Sequence, residues 1–234
     1  SQVSNNFRVK VSNASDTTDV LAEGTDSKIG AQFELSAPDG GETIDVNAIS
    51  PNNEIAWTTP KGTGISKVHL QYSYNADQGA GATWVDITDP TPTTGGIANA
   101  SPYTWSPLPK DTNVMSSQYM KVRILQHVPP NPAVVNASGN YFTLKGVITV
   151  TEPTGSGSES WGVNSTQNIK FTKKGAIDSV NIYYAPNNTD YGTPLNGGTP
   201  IDISSLADDT VYTYAWFLDP ASVALTGGVT GKIK

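Results

Sequence analysis

One segment of this chain is stated twice, and the phase of the repetition does not match the chain's ends. The run from Pro38, Gly40, Gly41 and Glu42 through Ile55-Ala56-Trp57 and Tyr103-Thr104-Trp105 to Lys121-Val122-Arg123 returns, more weakly, between Pro153 and Lys234. The fold must therefore close on itself twice, and 234 residues suit two domains of about 100–120 residues each. Ile55-Ala56-Trp57-Thr58 corresponds to Ile169-Lys170-Phe171-Thr172, and Val68-His69-Leu70-Gln71-Tyr72 to Val180-Asn181-Ile182-Tyr183-Tyr184. Further on, Trp84-Val85-Asp86-Ile87 is aligned with Pro200-Ile201-Asp202-Ile203, and Tyr103-Thr104-Trp105 with Tyr214-Ala215-Trp216.

Most of these segments alternate apolar and polar residues with period two. Clusters such as Asn75-Ala76-Asp77-Gln78-Gly79 and Pro186-Asn187-Asn188-Thr189-Asp190 bound them, as expected of half-buried antiparallel strands between loops. Gly 22 and Pro 16, set against 15% charged residues, agree with many short strands joined by turns and leave little room for helix. The spacing predicts about seven strands per copy and an all-β chain of tandem immunoglobulin/fibronectin III-like antiparallel β-sandwiches. The core is expected to comprise Trp57, Tyr72, Trp105, Tyr119, Val122 and Phe142 in the first copy. Phe171, Tyr184, Trp216 and Ile233 are expected to be equivalent in the second.

The opening residues of both copies resemble a known module. Pro38-Asp39-Gly40-Gly41-Glu42-Thr43-Ile44 before Ile55-Ala56-Trp57, and Pro153 through Glu159-Ser160-Trp161 before Asn164-Ser165-Thr166-Gln167-Asn168-Ile169, carry the resemblance. They look like an immunoglobulin-like tandem surface repeat, the module of yeast Ser/Thr-rich GPI-anchored cell-wall proteins and of very large prokaryotic extracellular proteins. Tyr103 with Trp105, the strand Tyr119-Met120-Lys121-Val122-Arg123-Ile124 and a closing strand through Phe142 are similar to its later elements. The second copy departs from the pattern in having Phe171 for Trp57, a Gly155–Glu159 loop for Gly-Gly-Glu, and no Tyr opposite Tyr119. The resemblance implies a fold and an extracellular, cell-surface setting, and is nearly silent on activity.

The repeat divides the chain into four stretches. Residues 1–11 read as the closing strand of a preceding module, 12–28 as a polar, acidic insertion, 29–146 as a complete module, and 147–234 as a second module lacking its closing strand. The insertion, with Asp16, Asp19, Glu23 and Asp26, is a solvated loop or a contact or ion-binding arm. Phe142-Thr143-Leu144-Lys145-Gly146-Val147-Ile148-Thr149-Val150 runs between the copies without a Gly/Ser tether, which predicts a stiff joint. Phe7 and Val9 repeat the spacing of Phe142 and Leu144. Ser4, Phe7, Val9 and Val11 are thus a candidate assembly strand, and Lys232, Ile233 and Lys234 the edge that would accept one. That strand comes either from another copy of the chain or from further repeats of the same chain.

Chemistry is sparse in the sequence. Cysteine is absent, which removes thiol nucleophiles, disulfides and zinc-thiolate sites. His69, at an alternating strand position, is expected to face outward, and His127 borders the Val128-Pro129-Pro130-Asn131-Pro132 loop. Neither has a nucleophile beside it in sequence, so no catalytic residue is assigned. Asp77, Asp86 and Asp89 border one loop region and could hold calcium with backbone carbonyls, although no EF-hand spacing is present and surface solvation explains them as well. No other cofactor is implied. Trp84 and Trp161 have no aromatic counterpart in the other copy, which makes them candidates for stacking on a carbohydrate; a core role is the competing reading. Sequons stand at Asn13, Asn99, Asn136, Asn164 and Asn187.

A net charge of −7 with only Arg8 and Arg123 as arginines argues against nucleic acid as a partner. No apolar run approaches the length of a membrane span. The expectation is a non-enzymatic structural component of a cell-surface layer, stalk or filament, whose partners are copies of itself or further repeats. The alternative is a carbohydrate-binding or adhesive module of a larger secreted enzyme or adhesin, with cell-surface polysaccharide as its partner.

Overall fold

The computed structural model describes residues 4–15, 21–92, 94–128, 130–155, 159–186, 191–221 and 232–233. Strands dominate it. The described helices are a short 3-10 segment, Ala76–Gly81, and the single turn Thr112–Met115. The all-β expectation is met, and no helix among the described residues is long and apolar enough to cross a membrane. The chain divides into two compact units, one formed by Ser1–Ile44, Ala48–Leu108 and Ser116–Leu144, the other by Asp45–Asn47, Pro109–Met115 and Lys145–Lys234.

In the first unit, Glu54–Lys61 lies between Gln32–Ala37 and Tyr103–Thr104 in one antiparallel sheet. A second sheet orders Ile97–Ala98, Lys67–Ser73, Lys121–Val128 and Asn131–Ala137, with Val85–Asp86 also paired to Lys67–Ser73. Period-two alternation buries one face of each sheet: Phe33, Leu35, Ile55 and Trp57 on the first, Val68, Leu70, Val122 and Ile124 on the second. Phe142 and Leu144, both about fully buried, close the core from the segment after Ser138. The Trp57 indole N–H donates to Asn99 Oδ1 at 2.9 Å, so the ring is buried with its one polar atom satisfied.

Two of the core expectations need correction or refinement. Tyr119 is 45% exposed, while its neighbour Met120 is fully buried. Successive strand side chains point to opposite faces, so Tyr119 cannot share a face with Val122; Met120, Val122 and Ile124 are the inward set. Tyr72 is half-buried and packs its ring at 5.4 Å from that of Trp105.

In the second unit, Thr166–Lys174 lies between Val147–Glu152 and Tyr212–Phe217, while Ser179–Val180 pairs with Ile201–Asp202 and Tyr184–Ala185 with Lys232–Ile233. Ile169, Phe171, Ile182 and Ile203 form its core, with Trp161, Trp216 and Ile233 packed against them. The registers repeat those of the first unit. Ile169 stands opposite Tyr214 as Ile55 stands opposite Tyr103, Phe171 opposite Val150 as Trp57 opposite Leu35, and Ile233 opposite Tyr184 as Val122 opposite Tyr72. Tyr184 and Trp216, 5.1 Å apart, reproduce the Tyr72–Trp105 contact.

One loop is also shared. After Pro38 the Glu42 carboxylate accepts the N–H groups of Asp39 (2.9 Å) and Gly40 (2.7 Å). After Pro153 the Glu159 carboxylate accepts those of Thr154 (2.6 Å) and Gly155 (3.1 Å). Gly40 has φ 122°, and a Cβ there would sit 2.2 Å from that of Asn140, so only glycine fits. In the second unit the backbone N–H of Thr154, first among its donors, holds the Glu159 carboxyl below its ordinary value.

The ladder overturns one sequence correspondence. Val180 pairs with Ile201 as Val68 pairs with Ile97, and Ile203 N–H donates to Asp178 as Asn99 N–H donates to Ser66. Ile201 therefore matches Ile97, not Val85, and Trp84 does not match Pro200. Leu195, whose N–H donates to Ile182 O as that of Ile87 donates to Leu70 O, is the true counterpart of Ile87. The connection between these positions is shorter in the second unit, and alternation alone carries no register across a loop of changed length.

Replacing Trp57, 4% exposed, by Ala should cost about 3–5 kcal/mol in a denaturant titration through cavity formation. Tyr119→Ala, at the exposed neighbouring face, should stay within about 1 kcal/mol of the parent chain. Equal costs would place Tyr119 back in the core.

Candidate functional site

The first unit carries a buried polar cluster on the outer face of Lys67–Ser73. His69 is only 6% exposed, which corrects its expected outward position. It does leave the apolar core, but the loop after Val85–Asp86 folds over it. That loop is tied down by Lys67 Nζ, which donates to Thr94 O (2.7 Å) and Gly95 O (3.0 Å), and by a contact of 3.1 Å between His127 Nε2 and Thr91 O. Gly96, at φ 70°, lets the loop return against Val68 and His127, where any Cβ would clash.

Inside the cluster, His69 Nε2 lies 2.8 Å from Asp86 Oδ1 and Nδ1 lies 2.9 Å from Thr88 Oγ1. An ionised carboxylate only accepts, so Nε2–H donates to Asp86; Nδ1 shares a hydrogen bond with the Thr88 hydroxyl, whose oxygen accepts the N–H of Leu70 at 3.0 Å. Gln71 Nε2 donates to the same Asp86 oxygen at 2.6 Å and its Oε1 accepts from Arg123 Nε at 2.7 Å. Partial burial opposes the charge of Asp86, yet the hydrogen bonds from Gln71 and His69, with the nearby Arg123 charge, hold its carboxyl below the ordinary value.

A hydroxyl, an imidazole and a carboxylate in line are the components of nucleophile activation. Here the hydroxyl is 7% exposed and already accepts a backbone N–H, so a substrate carbonyl has no approach to it. The arrangement satisfies polar groups in a covered site and pins the loop to the sheet. Thr88 and Gln71 were not singled out from the sequence, because their meeting with His69 depends on loop closure.

The remaining predicted positions separate. Asp86 is committed to His69 and Gln71, Asp89 accepts from Thr91 N at 2.8 Å, and Asp77 lies in the exposed first turn of the 3-10 segment. Among the described residues no group of three His, Cys, Asp or Glu is arranged to hold a metal ion, so the three carboxylates do not form one calcium site. Trp84 is half-buried with the Arg123 guanidinium 4.1 Å over its ring, and Trp161 packs edge-on to Trp216 at 6.4 Å. Each has a ring contact inside the protein. The exposed aromatic pair is instead Tyr119 and Tyr141, 45% and 38% exposed and 5.4 Å apart in a T shape. Asn99 and Asn136 spend their side-chain oxygens on Trp57 and on the Leu35 N–H, so two of the sequons are structural; Asn187 lies outside the described residues.

The insertion is not simply a loop. Leu21–Glu23 pairs with Lys10–Ser12 and Ser27–Ile29 with Ser4–Phe7, both antiparallel. Arg8 binds Asp26 and lies 4.0 Å from Glu23, anchoring the ribbon to its own acidic side chains. On this ribbon Val9 and Val11 are 59% and 66% exposed.

The second unit holds a shallow apolar groove lined by Ile148, Val150, Ile169, Phe171, Val180, Asn181, Ile182 and Ile233. Lys232–Ile233 flanks it as a strand paired on one side to Tyr184–Ala185; Lys234 lies outside the described residues. The first unit shows what such a surface looks like when covered. Phe33 and Leu35, matched by register to Ile148 and Val150, are 2% and 8% exposed, whereas Ile148 and Val150 are 45% and 38% exposed. The cover in the first unit is made by Lys121–Val128 and Asn131–Ala137: Ile124 is fully buried, Gln126 Oε1 accepts from Ala31 N at 3.3 Å, and Asn136 Oδ1 accepts from Leu35 N at 2.9 Å.

Thr88→Val should destabilise the first unit by about 1–3 kcal/mol, because the Leu70 N–H and His69 Nδ1 lose their partner without access to water. Asp86 is easier to ionise in the folded chain than unfolded, so its contribution is present above the ordinary carboxylate pKa and disappears as pH falls through the lower folded value. In thermal melts, Asp86→Asn should therefore lower the midpoint at neutral pH, and the deficit should narrow in acid; a deficit independent of pH would remove the charge from this account. No protein-family model matches this chain, and no curated protein sequence matches it.

Proposed function

We propose that the chain is a non-enzymatic structural segment of an extracellular, cell-surface layer, stalk or filament, built from tandem immunoglobulin-like sandwich modules. The carrying observation is the shared pairing register: Ile55 with Tyr103, Trp57 with Leu35 and Val122 with Tyr72 recur as Ile169 with Tyr214, Phe171 with Val150 and Ile233 with Tyr184. A module repeated with its pairing intact and its surface loops changed is the architecture of extension and tiling. Gly146 alone separates Thr143–Lys145 from Val147–Glu152, which leaves no Gly/Ser tether between the strands. Both imidazoles serve loop packing in this reading, and the ring contacts of Trp84 and Trp161 count against a stacking platform at either residue.

A second reading has its own observation in Tyr119 and Tyr141, an exposed aromatic pair with Lys121 Nζ 5.1 Å over the Tyr141 ring. Exposed aromatic faces and a nearby donor are what a carbohydrate-binding or adhesive module presents. Antibodies against residues 29–146 should label intact, unpermeabilised source cells in a continuous or periodic pattern, and the purified chain should leave a glycan array unmarked. Glycan binding abolished by Tyr119→Ala with Tyr141→Ala would establish the adhesive reading in its place.

A further inference from the structure

We propose that Asn13 is an N-glycan acceptor, and that it is the one modified among the four Asn-x-Ser/Thr sites that lie within the described residues. The proposal rests on the cell-surface reading, because the saccharide donor belongs to the export route, and it adds a covalent modification to that reading. The four sites begin at Asn13, Asn99, Asn136 and Asn164. Transfer requires an asparagine amide that an enzyme can reach and, two residues on, a hydroxyl that it can read. Asn99 and Asn136 fail on both counts. Asn99 Oδ1 accepts the Trp57 indole N–H at 2.9 Å, while Ser101 Oγ accepts the Trp57 backbone N–H at 2.9 Å. Asn136 Oδ1 accepts from Leu35 N at 2.9 Å, and the Ser138 hydroxyl, in a residue 2% exposed, donates to Pro38 O at 2.8 Å. A glycan on either asparagine has to break contacts that hold the sheets together. Asn164 is exposed, but its backbone is fixed: its N–H donates to Leu218 O at 2.8 Å, and Thr166 stands in the ladder opposite Phe217.

Asn13 differs in each respect. It follows the ribbon strand Lys10–Ser12, in the connection to Leu21–Glu23, and Asn13, Ala14 and Ser15 are all exposed. The Ser15 N–H donates to Asn13 Oδ1 at 3.0 Å, which forms an Asx turn inside the acceptor motif itself. That bond commits the amide oxygen rather than the nitrogen, and it stabilises negative charge on the oxygen as Nδ2 gives up a proton. The co-reactant is a lipid diphosphate-linked oligosaccharide. Nδ2 bonds to C1 of its first sugar, the C1–O bond to the diphosphate breaks, the lipid diphosphate leaves with the electron pair, and the amide proton passes to a base of the transferase. The chain itself supplies the amide and the turn that presents it.

Mass spectrometry of the chain purified from source cells should find a saccharide on the Asn13 peptide and none on Asn99, Asn136 or Asn164. Asn13→Gln and Ser15→Ala, expressed in the same cells, should each lose the modification entirely, whereas Ser15→Thr should keep it. Circular dichroism should be unchanged in all three variants, because both positions are exposed. The folded parent chain, incubated with a purified oligosaccharyl transferase and a dolichyl diphosphate oligosaccharide, should gain the saccharide at Asn13. A bare Asn13 on chains that reach the surface, a saccharide that survives Ser15→Ala, or modification of Asn99, Asn136 or Asn164 in place of Asn13 would overturn the assignment. Surface labelling is scored on the same cells, so a labelled chain with a bare Asn13 defeats the glycan alone. A chain that fails to label the surface defeats the cell-surface reading, and the purified transferase then decides Asn13 separately: no transfer there overturns the site.

Discussion

The pairing of Glu54–Lys61 with its two neighbours sets the position of nearly everything else in the first unit. Ile55 opposite Tyr103 and Trp57 opposite Leu35 place the buried indole at the centre of the sheet face. A slip of one residue would send both to solvent, since a strand's side chains alternate with period two. Thr166–Lys174 holds Ile169 and Phe171 in the same register in the second unit. Conserving that register while the side chain changes from Trp to Phe preserves the module and trades volume, and Tyr212, 5.2 Å from Phe171, supplies part of the missing bulk.

Polar groups at the ends of these ladders are secured by side chains. Glu42 and Glu159 each gather two backbone N–H groups after a proline, and Lys67, Lys121 and Lys173 each donate to two loop carbonyls. Lys173 is 4% exposed and stays there because Ile177 O and Ser204 O receive its ammonium. The His69–Thr88–Asp86 cluster works in the same way, and its resemblance to a catalytic alignment stops at the buried hydroxyl. A long loop over a sheet face needs such ties, because the face offers it few apolar contacts.

The two units differ most where they are covered. Phe33 and Leu35 on the Gln32–Ala37 strand are buried under Lys121–Val128 and Asn131–Ala137, whereas Ile148 and Val150 on the matching strand are exposed. Ile148 and Val150 border the apolar groove together with Phe171 and Ile182.

The sequence by itself determined the strand class, and several of the residue pairs it aligned recur at matching ladder positions in the two units. Apolar alternation and the Pro-Gly-Glu loop are local signals, readable wherever strand length and loop length agree between copies. It located Trp57, Trp105, Val122, Phe142 and Phe171 in the core for the same reason. It misjudged Tyr119, which sits an odd number of positions from Val122, and it misaligned Ile201, which lies beyond a loop of altered length. Burial of His69, the meeting of Thr88 and Asp86 on its two nitrogens, the pairing of the acidic insertion with residues 4–12, and the open groove were decided only by tertiary structure. Each depends on which loop or strand covers a given face, and that is a property of segments distant in the chain, which no local pattern encodes.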